Sequence, residues 1–279
     1  MTTAAWFDLL PLFAALMAAG AIAGLSAGLF GVGGGFVVVP ALLVAFGAAL
    51  EGGASGLYVA VGTSLATIIV TSVRAVQAHD KRGSVDFSIL KTWAPWVFIG
   101  VLGGLAVTAV VETQTLIMTF AVGVLLYAFY FLRPKFVVVK EQYFALPTGA
   151  GRAVLASGLG GFSALLGIGG GTPFVVTMVV CGRPVHQAVG TAAGVGFLIA
   201  VPGTIGFALM GIGQADLPPG SIGYVNLPAF AAIAIVSLFT APLGARLAHS
   251  LNELHLRRAF GVYLLLVSGL MLSKYFSVS

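Results

Sequence analysis

The chain has 279 residues, of which 59% are hydrophobic and only 8% charged, with a mean hydropathy of +1.09. A water-facing surface needs roughly a quarter of its residues charged, so a soluble domain, a disordered chain and a nucleic-acid binder are excluded and a polytopic membrane protein is expected. The net charge of +5 belongs to Lys- and Arg-rich loops on one side of a bilayer. The single cysteine, Cys181, forms no intramolecular disulfide and no metal cluster. Residues 1–8 lack a positive n-region, so a cleaved signal peptide is not expected.

In chain order, apolar runs fall at 9–30, 36–50, 57–77, 87–111 and 115–132, then at 152–166, 172–181, 185–210, 224–247 and 256–272. A full crossing takes about 20 residues. The 15 residues of 36–50 and the 10 of 172–181 are too few, and read as half-helices or re-entrant arms. Their neighbours read as spans, giving an all-α fold.

Basic residues set the orientation. Arg74, Lys81, Arg82 and Lys91 flank one loop, Arg133, Lys135, Lys140 and Arg152 another, and Arg246, Arg257 and Arg258 a third, with Arg183 near a fourth. The intervening loops carry Glu51, Glu112 and Asp216 without Lys or Arg, and Lys274 alone departs from the pattern. The positive-inside rule places the basic loops in the cytoplasm and both termini outside.

The chain repeats itself. Residues 31–35, Gly-Val-Gly-Gly-Gly, return as Gly-Ile-Gly-Gly-Gly at 167–171, an offset of 136. Val-Gly-Thr-Ser at 61–64 returns as Val-Gly-Thr-Ala at 189–192, an offset of 128. Gly-Ser-Val-Asp at 83–86 matches Gly-Tyr-Val-Asn at 223–226, and Gly104 and Phe120 match Gly244 and Phe260, all at 140. The domains are therefore a first transmembrane repeat at 1–132, a basic cytoplasmic linker at 133–151 and a second repeat at 152–279. Each repeat holds a glycine-broken helical hairpin and three transmembrane helices. Because the second starts on the opposite side, the topology is inverted, the architecture of many secondary transporters.

Each glycine run breaks a helix between apolar arms. Broken backbone at membrane depth is tolerated only where it is buried in protein or lines a cavity. Thr172-Pro173 reads as an N-cap followed by proline at the first helical turn, so a helix is expected to start there and, by symmetry, at Phe36. Each helix start presents free N–H groups and about half a positive charge. Two of them facing one point form an anion site from backbone alone. The acids all lie at expected loops or edges, which argues against a cation site.

The candidate substrate site thus comprises Gly33, Gly34, Gly35 and Phe36 with Gly169, Gly170, Gly171 and Thr172. The hydroxyls of Thr63, Ser64 and Thr191 are further candidates; their alternative is back-bonding to the preceding helical turn. Ser26 and Ser163 are weaker ones. Gly20, Gly24 and Gly28 form a small-residue stripe for helix packing. His79 and His186 read as solvated edge residues, and Gln77, Gln187 and Asn226 as interfacial. Cys181 reads as a small apolar packing residue. No catalytic or metal-binding pattern appears, so neither an enzyme nor a cofactor is expected. No nucleotide-binding motif is found either: G-x-G-x-x-G would need glycine where Phe36 and Thr172 stand.

The Gly-Leu-Phe-Gly-Val-Gly-Gly-Gly arm at 28–35, the Val-Gly-Thr-Ser span, the Gly-x-Val-Asp loop and the degenerate second copy together resemble the sulfite exporter TauE/SafE family. The resemblance runs from about 9 to 272 and implies a carrier of the bacterial cytoplasmic (inner) membrane. It also implies export of sulfite or a related organosulfur anion. The second copy departs at Ala192, so a role for the Ser64 hydroxyl is not duplicated. The expected function is a secondary transporter working by alternating access, with a small anion, the lipid bilayer and a coupling proton or sodium ion as partners. The rivals are an anion channel and a non-transporting membrane subunit.

Overall fold

The computed structural model describes residues 3–47, 55–133 and 145–248, and beyond these 258, 261–262, 264–269 and 272. Nine helices are bounded within the described residues: α1 (Thr3–Phe30), α2 (Gly35–Gly47), α3 (Ser55–Asp80), α4 (Phe87–Val110), α5 (Thr113–Leu132), α6 (Gly149–Leu166), α7 (Gly171–Val180), α8 (Val185–Met210) and α9 (Leu227–Leu247). A two-stranded hairpin, β1 (Ser221–Ile222) and β2 (Val225–Asn226), pairs Ser221 with Asn226 and Ile222 with Val225 just before α9. Ten of the 17 residues of the last expected span, 256–272, are described, and all ten are helical.

Among the described residues five stretches are long and apolar enough to cross a bilayer: Pro11–Phe30, Ser55–Asp80, Phe87–Val110, Val185–Met210 and Leu227–Leu247. The chain is a helical, multi-pass membrane protein. Its outer surface is apolar, with Phe98, Ile99 and Leu102 on α4 and Ile235, Phe239 and Leu243 on α9 all exposed. Thr63, Ser64, Thr67, Thr71, Ser72, Ser163 and Thr191 point inward and are buried. Lipid solvates the first set at no cost, whereas the hydroxyls need partners that only the interior supplies. α3 is the most enclosed long helix: 78% of its apolar window is buried, against 33–44% for the other four.

The helix ends follow from local chemistry. Asp86 caps α4 by accepting from the Ser88 and Ile89 N–H groups through Oδ1, and Asn226 caps α9 by accepting from the Ala229 N–H. Asn226 is therefore a buried cap, 3% exposed, and not the interfacial residue its polarity suggested. α7 is capped two residues earlier than Thr172-Pro173 implies. Its N-cap is Gly170, held at φ 72°, so Thr172 is the second helical residue and the first helical position belongs to Gly171. α2 likewise starts at Gly35, one residue ahead of Phe36. At 10 residues α7 extends about 15 Å, well short of a hydrocarbon core of about 30 Å, and the 13 residues of α2 within the described residues extend about 20 Å.

The long helices interlock across the two halves of the chain. Gly20, Gly24 and Gly28 of α1 lie against the backbone of α9 at Ile233, Ser237 and Ala241, and Gly244 of α9 lies against Leu25. The Ser237 hydroxyl donates to the Gly20 carbonyl at 2.9 Å. At the equivalent place α4 meets α6: Gly160 lies against Val97, Gly104 against Gly161 and Gly100 against Ser157. Small residues let the backbones meet, and dispersion between them replaces the hydrophobic drive that lipid removes.

Candidate functional site at the paired glycine breaks

Each glycine run holds three residues in the left-handed region. Gly31, Gly33 and Gly34 have φ of 66°, 74° and 83°, and Gly167, Gly169 and Gly170 have 64°, 66° and 72°. A side chain there costs strain, which explains the residue type at these six positions. Gly35 and Gly171 are glycine for another reason. A Cβ on Gly171 would strike the Gly31 carbonyl and the Val32 Cα, and one on Gly35 would strike the Gly167 carbonyl and the Ile168 Cα. The two breaks therefore touch backbone to backbone, and the contact is reciprocal at the offset of 136.

The surrounding contacts keep the same reciprocity. Gly31 lies against Val189 of α8, and Gly167 against Val61 of α3. Gly62 lies against Tyr224 and Gly190 against Ser84. The Asn226 N–H donates to Thr63 Oγ1, and the Asp86 N–H donates to Thr191 Oγ1, both at 2.9 Å. The two threonines tie α3 and α8 to the starts of α9 and α4 through bonds that reach 163 and 105 residues along the chain. Thr63→Val is expected to strand a buried N–H donor and lower stability by about 1–3 kcal/mol. Thr191→Val should cost less, because Asp86 is partly exposed. Melting temperatures of the two purified variants check the order.

Ser64 reaches the site itself. Its hydroxyl donates to the Gly167 carbonyl at 2.8 Å. One turn on, Ile68 is wholly buried between the two breaks, its Cγ2 3.1 Å from where a Cβ would stand on Gly33 and 2.8 Å from one on Gly169. Thr71 then donates to the Gly33 carbonyl at 2.9 Å. A single face of α3 thus holds a carbonyl of each break. Its counterparts on α8, Ala192 and Ile199, offer no hydroxyl.

The donors are the remaining chemistry. Among the described residues the N–H groups of Gly33, Gly34, Gly35, Gly169, Gly170 and Gly171 meet no acceptor. Two buried hydroxyls beside them, Ser72 and Ser163, are also without a partner. The Ser163 Oγ lies 3.3 Å from a Cβ placed on Gly170, and the Ser72 Oγ 2.8 Å from one on Gly196, which itself lies against the Gly169 carbonyl. An unsatisfied buried hydroxyl costs about 1–3 kcal/mol, so two at one place mark a site that a hydrogen-bonding ligand would satisfy. Sequence reasoning missed Ile68, Thr71 and Ser72; their spacing from Ser64, four, seven and eight residues on, is the one-face signal that finds them.

Phe36 is fully buried and meets Tyr127 edge-on at 5.1 Å, while Phe174 meets Trp93 at 5.6 Å. These rings wedge α2 and α7 in place. Of the weaker candidates, Ser26 is 5% exposed and Ser163 fully buried. His79 is not a solvated edge residue: it is fully buried, with Nε2 2.9 Å from the Gly28 carbonyl at the end of α1. His186 is exposed, as expected. Cys181 is buried behind α7, and that burial pushes its thiol up from the ordinary value against the opposing pull of Arg183. Arg183 also pairs with Asp86 at 4.0 Å, joining the loop before α8 to the start of α4.

The family model for the sulfite exporter TauE/SafE matches residues 16–271. The chain belongs to the TauE/SafE family. It is 32% identical over 257 residues to a probable membrane transporter protein of Haemophilus influenzae, covering 89% of this chain and 94% of the relative. It is 27% identical over 260 residues to a probable membrane transporter protein of Methanocaldococcus jannaschii, covering 90% and 92% respectively. No solved structure matches the chain. Family and relatives together make this TauE/SafE chain a membrane transporter.

Proposed function

We propose that this chain is a secondary transporter that exports sulfite or a related small organosulfur anion across the cytoplasmic (inner) membrane, with the anion held between the two glycine breaks. The observation that carries the reading is the set of six unpartnered backbone N–H groups at two abutting helix starts, flanked by the buried, unpartnered hydroxyls of Ser72 and Ser163. Such donors bind an oxyanion without a buried Lys or Arg. Four acids fit the reading: Asp80, Asp86, Glu112 and Asp216 lie at helix ends or in loops, away from the breaks. Gly33 to Phe36 and Gly169 to Thr172 supply the donors; Thr63, Ser64 and Thr191 position the backbone around them.

The reciprocal contacts support two inverted repeats at 1–132 and 152–279, joined by a linker at 133–151, with basic loops in the cytoplasm and both termini outside. Two similar halves that exchange conformations give outward-open and inward-open states of similar energy, which is what alternating access needs. Ile68, closing the space between Gly33 and Gly169, is the side chain that has to move for the anion to pass. A proton or sodium gradient drives the cycle.

The test is the melting temperature of the purified protein against sulfite, thiosulfate, sulfate, sulfoacetate, taurine, lactate and chloride, followed by counterflow in liposomes. A ligand at 100 times its Kd stabilises by about 2.7 kcal/mol. One sulfur anion should raise the melting temperature selectively and show saturable counterflow. Equal responses to all seven, or none, would overturn the site. Unsaturable flux would make the protein a channel.

A further inference from the structure

A second place on the molecule gathers charge. Where the ends of α3 and α9 meet, a cavity of about 370 Å³ is lined by Arg74, Lys81, Arg82 and Arg246, with Gln77 and Pro242 completing the wall. No Asp or Glu is among the described residues that line it. Four cations around one cavity repel one another, and water-filled space only partly screens them. Two are fixed by the protein: Arg74 Nε donates to the Leu238 carbonyl at 3.2 Å and its Nη1 to Gln77 Oε1 at 3.1 Å, while Arg82 Nη1 donates to the Ala245 carbonyl at 2.9 Å. These bonds hold both guanidinium groups at the cavity wall with N–H groups left over. The Lys81 and Arg246 side chains make no such bond within the described residues, and line the same space.

The charge is not a by-product of the repeat. The equivalent positions in the other half, Pro202, Ile205, Leu209 and Met210 on α8 and Ala106 on α4, hold no ionisable group. The surroundings are apolar on two sides. Along α9 the exposed side chains Ile235, Phe239 and Leu243 form a stripe that ends at Arg246. Across Gln77, which lines both spaces, lies a second cavity of about 350 Å³ walled by Val73, Phe87, Leu90 and Phe197. A basic cavity between two apolar surfaces at the end of membrane helices matches an amphiphile that carries a phosphate.

We infer that this cavity binds the phosphate of an anionic phospholipid, with the acyl chains lying on the apolar surfaces beside it. Guanidinium forks take phosphate oxygens in pairs, and basic pockets between membrane helices are suited to lipid head groups. A free phosphate shares that chemistry but has no use for the apolar flanks. The inference stands apart from the anion site at the glycine breaks and does not depend on it.

The experiment is thermal melting of the purified full-length protein in non-ionic detergent, titrated with phosphatidylglycerol, phosphatidylcholine, glycerol phosphate or inorganic phosphate. Phosphatidylglycerol should raise the melting temperature with saturation, and phosphatidylcholine should not. In the double variant Lys81→Gln, Arg246→Gln, which leaves the two anchored arginines in place and relieves part of the repulsion, the melting temperature without lipid should be at or above that of wild type. Its half-saturating phosphatidylglycerol concentration should rise at least tenfold. Equal responses to the two lipids, or an unchanged response in the double variant, would overturn the inference. Inorganic phosphate matching phosphatidylglycerol would overturn the lipid and assign the cavity to a soluble anion.

Discussion

Gly171→Ala is expected to abolish transport. The new Cβ would meet the Gly31 carbonyl and Val32 Cα, which are backbone atoms and have no rotamer through which to retreat. The two breaks would have to separate, and the unpartnered N–H donors on both would move with them. Overpacking of this kind costs about 1–3 kcal/mol, so folded protein should remain for assay at a lower melting temperature. Flux should fall at least tenfold, and Gly35→Ala should behave the same way through the Gly167 carbonyl. Gly103→Ala and Gly158→Ala provide the contrast: both lie in helices with nothing within 4 Å of the added methyl, and should gain roughly 0.5–1 kcal/mol with flux intact. Wild-type flux in Gly171→Ala and Gly35→Ala would mean that contact between the breaks is not needed for transport.

The second large effect separates function from stability. Ser72 and Ser163 have buried hydroxyls with no partner, so replacing either by alanine removes a desolvated polar group and strands nothing. Stability should hold or rise by about 1 kcal/mol. Transport should move the other way. A hydrogen bond to a charged ligand contributes about 1.5–3 kcal/mol, which is roughly ten- to a hundredfold in affinity. Each variant should therefore melt at or above the wild-type temperature while its response to the stabilising anion weakens by that factor. A drop in melting temperature with unchanged anion response would show that these hydroxyls serve packing.

Much of this was legible in the sequence because it rests on composition and local chemistry. Glycine runs break helices wherever they occur, a stripe at 20, 24 and 28 packs wherever a helix carries it, and apolar runs of span length face lipid. Two of the failures share one cause, a partner distant in the chain. His79 reads as a solvated edge residue until the Gly28 carbonyl, 51 positions away, is found against its ring. Thr63 offers a hydroxyl to any helix neighbour, yet it serves a loop 163 residues on. Thr172 reads as a cap because nothing local says that Gly170 turns the chain first. The inward face of α3 is marked by the hydroxyls of Ser64, Thr67, Thr71 and Ser72 among apolar neighbours, and what Ile68, Thr71 and Ser72 touch is set only by the breaks placed beside them.

The interlock of α1 with α9 has a consequence for how the protein is made. The bond from Ser237 to Gly20 spans 217 residues, so the helix it secures leaves the ribosome long before its partner. At about 5–20 residues per second, α1 waits roughly 10–40 s in the bilayer before its partner exists. During that time its glycine face lies bare to lipid, open to any other small-residue helix nearby. An insertase that shelters this face, or rapid synthesis of the second half, decides how much of the chain reaches its native form. A stall placed after α8 should yield a fully inserted but unlocked chain, which proteases distinguish from the finished transporter.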